Sequence, residues 1–385
     1  MADPLKHLHH LAVEIGPRGP TTAAEAQASD YAQSVLEASG SQTTVEPFDG
    51  VPSFGNIYIP TTAAMLAGAL IATRKRPLKT LGVTTGALGL ASFWGENTTK
   101  WRAVLERIPK TPSQNVVGVI KPKGEPRRRL VVVAHIDSSR SGLMFHPKLT
   151  NDFRRSAFVG IGAAAASLAS YLLPRKLRRS VATAASAVIA ANLGMLIQRE
   201  VYGRDVHGAN DNASGASIVL SLAEHLASEP LTNTEVWCVL TGCEESDLVG
   251  MSAFVDRHQN ELADAYFLNL DTVAGAGSNI RWIVTSSLLD SNLRADGYLV
   301  KLAEQVSLDH PGLEAEPGTW HHAGLDGDVA AVRGMRAMSL VAQTPQGTLP
   351  NWHWPTDTYE NIDEAVLQRS FNFTRELVTR FDSQS

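Results

Sequence analysis

The stretch Gly208–Leu226, GANDNASGASIVLSLAEHL, decides how the rest of the chain is read. A polar turn runs straight into an apolar helical segment, and Asp211 sits in that turn between two asparagines. Alone, an Asp ahead of a helix is a cap. Its company changes the reading, because other potential metal ligands recur along the chain, nearly all at the ends of short apolar runs. His135 closes LVVVAH, Glu244 and Glu245 come shortly after VWCVL, and Asp271 closes YFLNLD. His353 lies in a Trp- and Pro-rich loop after RAMSLVA. Such a set fits a hydrolytic site with two metals and Asp211 as their shared carboxylate.

Outward from that stretch, NVVGVI (115–120), LVVVAH (130–135), TEVWCVL (234–240), YFLNLD, IRWIVT and RAMSLVA read as short buried strands. Helical patterns lie between them: one beginning near Asn212, then Asp247–His258, Asn292–Val306 and a closing helix over Asp363–Phe381. A further helix is expected over Thr21–Ser39, with Thr21 or Thr22 as its cap, Glu25 completing a capping box and Gly40 ending it. Strands alternating with helices predict an α/β fold, a mostly parallel mixed central sheet covered by helices on both faces. In such sheets binding sites form beyond the carboxyl ends of the strands, where the candidate ligands fall.

Composition bounds the function. The 385 residues are 44% hydrophobic and 19% charged, as in a folded chain with a sizeable core. A formal net charge of −5 disfavours nucleic acid as a partner. Cys238 and Cys243, five apart along one extended run, are too far apart to bridge without a sharp bend and read as free thiols. The N-terminal stretch MADPLKHLHHLAVEIGPRG has no signal-peptide pattern.

Two segments break the α/β pattern. Val51–Thr73 and Thr80–Gly95 carry no charge and flank the basic cluster RKRPLK; Ser156–Pro174 and Ser180–Gln198 repeat the design around RKLRR. Bilayer spans need about 20 apolar residues, and the abundant Ala, Gly, Ser and Thr suit close helix packing in lipid. We read 57–95 and 156–198 as two apolar helical hairpins inserted into a single domain that spans 1–385. Crossing the membrane, they make a multi-pass protein with its basic tips in the cytoplasm and the catalytic domain on the other side. Arg154, Arg155 and Arg199, which flank the second hairpin, count against that orientation. A soluble cytoplasmic helical subdomain, or an interface between copies in a homo-oligomer, is the other reading.

The ordered series HID, GANDNASG, TGCEE, LNLD and HWPTDTYENID resembles metallopeptidase family 28, the co-catalytic di-zinc aminopeptidases of the bacterial leucyl-aminopeptidase type. EIGPRGPTTAAEAQASDYAQSVLEASG and SQNVVGVI extend the likeness to nearly everything outside the hairpins. The resemblance implies two Zn²⁺ ions. His135 and Asp271 would each bind one metal, Glu245 and His353 the other, and Asp211 would bridge. Glu244 would be the general base and Asp137 would orient His135. The implied activity is hydrolysis of the N-terminal peptide bond of a peptide substrate by a water the metals share. Asp328 matches an Asp whose loop lines the substrate pocket in the family, and His322 lies beside it. Two features depart from the family pattern. Trp352 stands before the last His, where relatives often have a Tyr, and a long insert separates HIDS from GANDN. Asp357 is expected to brace the His353 loop. The same scaffold also admits an amidohydrolase, a carboxypeptidase, a single-zinc glutaminyl cyclase or a catalytically silent receptor-type domain.

Overall fold

The computed structural model describes every residue except 1, 75–77, 151, 152, 287–292 and 385. Two sequence expectations fall partly outside it: the middle of the RKRPLK cluster and the Asn292 start of a helix. In chain order the elements are α1 (Pro4–His9), α2 (Ala23–Ala38), β1 (Gln42–Gly50), α3 (Gly55–Ala72), α4 (Lys79–Asn97), β2 (Thr111–Ile120) and β3 (Arg128–His135). Then follow α5 (Pro147–Thr150), α6 (Phe153–Ser170), α7 (Arg175–Tyr202), α8 (Ser214–Ser228), β4 (Thr234–Thr241), α9 (Val249–His258), β5 (Tyr266–Asp271) and β6 (Asn279–Ser286). The chain closes with β7 (Leu293–Arg294), α10 (Gly297–Asp309), β8 (Ala315–Thr319), α11 (Asp326–Val332), β9 (Arg336–Gln343) and α12 (Glu364–Ser383).

They form two compact units. The first comprises Met1–Pro52, Lys110–Ser141 and Asp205–Ser385; the second comprises Ser53–Pro109 and Gly142–Arg204. In the first unit a mixed sheet runs β1-β2-β4-β3-β5-β9-β6-β7, with β8 paired to β6. The inner pairs β4/β3, β3/β5 and β5/β9 are parallel, whereas β1/β2, β2/β4 and β6/β9 are antiparallel. Every residue of β4 is buried, as a strand covered on both faces requires. Period-2 alternation divides β3. Leu130, Val132 and Ala134 pack with residues of α1, α2, α8, α10 and α12. Val131 and Val133 pack on the other face with residues of α9 and α11. Two antiparallel pairings in this unit, Gly50↔Thr111 and Arg140↔Asp205, hold together the residues where the chain leaves and re-enters it.

The helix ends show why these segments fold as they do. Thr22 caps α2 by accepting from the Glu25 N–H, and Asp363 caps α12 by accepting from Ala365 and Val366. Helix α12 buries one face, including Val366, Phe373, Leu377 and Phe381.

In the second unit α3, α4, α6 and α7 pack on one another. Glycines set the approach of α3 and α4. A Cβ on Gly68 would lie 2.6 Å from the Gly86 Cα, and one on Gly89 would lie 2.8 Å from the Met65 nitrogen. The Tyr171 hydroxyl donates to the Gly68 carbonyl, and Arg179 and Arg178 donate to the Thr73 and Arg74 carbonyls at the end of α3.

Candidate metal centre

Asp211 lies at the focus of the sheet unit's carboxyl edge, and the sequence around it explains how it is held. Gly208 adopts the left-handed conformation (φ 57°), where a side chain would also meet the Asp211 carbonyl oxygen. The Asn212 amide donates to the Leu270 carbonyl, and its oxygen accepts from the Gly215 and Thr272 N–H groups. Asn210 accepts from the Ala274 N–H, and the Ser214 hydroxyl accepts from that of Val273. GANDNASG is therefore a stitch to the end of β5, which carries Asp271. A Cβ on Gly215 would lie 2.4 Å from the Leu270 carbonyl oxygen, so the stitch admits only glycine there.

The ligand candidates converge. His135 Nε2 lies 3.2 Å from one oxygen of Asp211, and His353 Nε2 lies 3.0 Å from the other. His353 Nε2 is also 3.2 Å from Glu245, and His135 Nε2 is 3.8 Å from Asp271. Two three-residue groups result, His135/Asp211/Asp271 and Asp211/Glu245/His353, with all donor atoms of each group within 4.8 Å of one another. Every member is buried. Glu244 is 3.9 Å from His135 Nε2. Two imidazoles and three carboxylates in one dry site make a donor set suited to zinc. So many buried acids need cations to offset their desolvation.

The electrostatics carry the same mark. Burial would raise Asp211, but hydrogen bonds from His135 and His353 hold it below the usual carboxylate range. Burial opposes protonation of His353, yet Glu245 and Asp211 raise it to about 9. Burial, with Glu245, Asp271 and Asp326 adding to it and His135 opposing, pushes Glu244 well above an ordinary glutamate. Non-glycine residues with positive φ gather on the ligand loops, at Cys243 (53°), Thr272 (49°) and His353 (51°), strain of the kind that collects at functional sites.

Around the ligands sit buried groups that hold backbone. The Asp137 carboxylate lies 3.5 Å from His135 Nδ1, and it accepts the N–H groups of Glu244 and Glu245 as well. The Asp357 carboxylate accepts the N–H groups of Asn210 and Asp211, which ties the His353 loop to the turn that carries Asp211. Arg18, fully buried, donates to the carbonyls of Leu11, Gly16, Ile136, His207 and Gly208. Burial lowers its guanidinium to about 10, against the pull of Asp357, Asp137 and Asp211.

The remaining candidates lie as follows. Asp328 accepts from the Leu325 N–H and from Ser286 at the start of α11, and burial pushes it up to about 7. Asp326, two residues earlier, accepts from Thr241 at 2.5 Å, and its charge reaches Glu244 and Asp271. Both are acids of GLDGDVAAV, and only the helix start shows which faces the centre. His322 packs edge-on against Trp320 and Trp352, with its Nε2 3.1 Å from the Gly347 carbonyl. Trp352 packs on the His353 ring, their centroids 4.4 Å apart. Cys238 and Cys243 are free and buried. The sequence marks Glu25 only as part of a capping box and Asp357 only as a brace of its loop, and it gives Asp326 no separate signal. The only hint of Arg18 is its place in the family-like EIGPRG stretch.

Comparison with known proteins gives the family and the fold. The model of peptidase family M28 matches residues 180–378, more than half of the chain. Aminopeptidase YwaD of Bacillus subtilis is 28% identical over 176 residues, an alignment spanning 42% of this chain and 35% of YwaD. A Zn-dependent exopeptidase from Parabacteroides distasonis shares the fold at 15% identity, with a TM-score of 0.60 over 98% of this chain and 96% of that one. A glutaminyl cyclase from Bacteroides thetaiotaomicron, solved with N-acetylhistamine, shares it at 14% identity, with a TM-score of 0.57 over 98% of each chain.

Proposed function

The chain belongs to peptidase family M28, and on that premise we propose that it is a zinc-dependent aminopeptidase that hydrolyses the N-terminal peptide bond of peptides with two Zn²⁺ ions. The observation that carries this reading is Asp211, whose two carboxylate oxygens each face a different histidine-bearing group. His135 and Asp271 would hold one ion, Glu245 and His353 the other, with Asp211 between them. Bound zinc supplies Lewis-acid polarisation of the scissile carbonyl and acidifies water. The chain's own part is proton transfer and alignment. Glu244, beside both groups but in neither, takes the proton of the attacking water and returns it to the leaving amine. Asp137 fixes the His135 ring and the Glu244–Glu245 backbone together, so the base and the ligands keep one register. The Trp320–His322–Trp352 cluster beside His353 forms the wall that meets the substrate's side chain.

The test is metal analysis of the purified protein beside assays on a panel of aminoacyl substrates and on glutaminyl peptides. Two zinc ions with release of the N-terminal residue support the reading. One zinc with cyclisation of N-terminal glutamine replaces it with cyclase chemistry.

We also propose that the helical unit spans a membrane. Among the described residues, Gly55–Ala72 and Arg175–Tyr202 are long and apolar enough to cross one, by length and composition. Apolar side chains exposed on that unit, and the lack of any acidic residue in 51–95 or 156–198, support this. By the positive-inside rule the basic tips face the cytoplasm and the catalytic unit faces the other side. Release by alkaline wash would overturn the span, and protease protection of the tips from outside the cell tests the orientation.

A further inference from the structure

The loop that carries Glu244 and Glu245 is held by its backbone, and one of its holds comes from far away in sequence. Four successive N–H groups meet side-chain acceptors: Gly242 gives to Asn115, Cys243 to Glu25, and Glu244 and Glu245 to Asp137. Glu25 is the least expected of these. It stands in the first turn of α2, where a capping role would be enough to explain it, yet its carboxylate does more than cap. One oxygen accepts from the Cys243 N–H at 2.8 Å; the other accepts from the Thr21 N–H and the Ser113 hydroxyl, each also at 2.8 Å. The side chain is 1% exposed, and a Cβ on Gly242 would lie 2.9 Å from its oxygen, so the loop closes tightly on it.

The residue it holds is the strained one. Cys243 has φ 53°, a conformation that costs a non-glycine residue about 1 kcal/mol or more and persists only where its surroundings enforce it. Cys243 directly precedes the base. If its N–H loses its acceptor, the residue relaxes toward negative φ, the next peptide rotates, and the Glu244 and Glu245 carboxylates leave their aim together. We propose that Glu25 is a positioning residue for the Glu244–Glu245 pair, acting through the left-handed Cys243. This rests on the aminopeptidase reading for its kinetic consequence but not for its structural one.

The experiment uses the full chain, zinc-loaded, with Glu25→Gln. The amide keeps the shape of the side chain but cannot accept from both the Cys243 and Thr21 N–H groups. Amide exchange in 242–246 should speed up by about tenfold, the equivalent of one lost hydrogen bond. Because the Glu245 ligand moves with the base, kcat should fall roughly 10–100-fold at unchanged KM, and zinc should be lost to a chelator more readily than from the wild type. Asp296→Ala, which uncaps α10 instead, serves as the stability control and should leave exchange in 242–246 and kcat as they are. Unchanged exchange in Glu25→Gln overturns the proposal, and so does an equal loss of kcat in the control. If Glu25→Gln does not fold, Ser113→Ala removes one of the bonds to the same carboxylate and should shift exchange and kcat the same way by less; no shift overturns the proposal. If the wild type cleaves no aminoacyl substrate, the functional reading fails, and the exchange measurement alone decides whether Glu25 holds the loop.

Discussion

The sheet unit and the helical unit place their apolar side chains on opposite sides. In the sheet unit, Leu, Val and Phe fill two layers on either face of the sheet, and the chain's densest group of ionisable residues lies buried at one edge. In the helical unit glycine, alanine and serine share the packed positions with a few large side chains such as Ile57, Met65, Tyr171 and Ile189, while many other large apolar side chains face outward. Of the seventeen large apolar side chains exposed among the described residues, only Val13, Val45 and Leu308 belong to the sheet unit; the other fourteen, including Leu88 and Leu172 at 62% and 86%, belong to the helical unit. A surface rich in exposed leucine is what a lipid environment permits and water penalises. The contrast teaches that the two parts are stabilised differently: the sheet unit hides most of its hydrocarbon, whereas the helical unit leaves much of it exposed and brings glycine-bearing backbones close together.

The largest effect that tests this contrast lies in the sheet unit. Glu244→Gln should lower turnover by about 10²–10⁴-fold while zinc content stays at the wild-type value, because the amide cannot take a proton; loss of zinc in that variant would show that Glu244 is a ligand instead. Next is Gly68→Ala, whose new Cβ meets the Gly86 backbone. Overpacking there should cost about 1–3 kcal/mol in detergent-solubilised protein, read from thermal unfolding, and a neutral result would mean that small residues do not set the packing.

Asp328→Asn probes the polar interior of the sheet unit. Burial raises this acid to about 7, so the native state binds its proton more tightly than the unfolded chain. Its contribution is therefore present at low pH and is lost as pH rises from the ordinary Asp range through 7. The Asn variant lacks that loss. It should match the wild type below about pH 4 and gain on it by roughly 4 kcal/mol at pH 8 in denaturant titrations. The smallest effect is expected outside. Leu88→Ser with Leu172→Ser should change stability in detergent by less than about 0.5 kcal/mol, since neither side chain is buried, yet make the protein easier to extract from membranes. A large loss of stability would mean that these leucines pack against protein.

The sequence made the centre of the sheet legible and its margins obscure, for physical reasons. Strands β3, β4 and β5 are buried on both faces and read as unbroken apolar runs. β1 passed unnoticed because it is an edge strand, mostly exposed, with Pro47 and a scatter of polar residues. β8, with Pro317, escaped for the same reason. The candidate ligands were visible because each closes such a run or opens a marked turn. The distant partners of Arg18, Glu25 and Asp357 were not, because the backbone they reach lies 118 to 218 residues away, as between Arg18 and Ile136 or Glu25 and Cys243. Nothing in a local pattern records which distant carbonyl or N–H a buried side chain will meet. Glu25 shows the limit clearly: a capping box accounted for it fully, and so left no residue of surprise to follow up.

The pairings Gly50↔Thr111 and Arg140↔Asp205 set the terms on which the helical unit could be spared. Each joins, within the sheet unit, the two ends of one excursion of the chain, so the sheet unit treats each largely helical excursion as it would treat the loop of a hairpin. Closing a longer loop costs only slowly more entropy, about 0.6 kcal/mol for each doubling, so excursions of this size are cheap to acquire and equally cheap to remove. Two short turns, one joining Gly50 to Thr111 and one joining Arg140 to Asp205, would complete the sheet unit as a shorter chain that keeps all five candidate ligands.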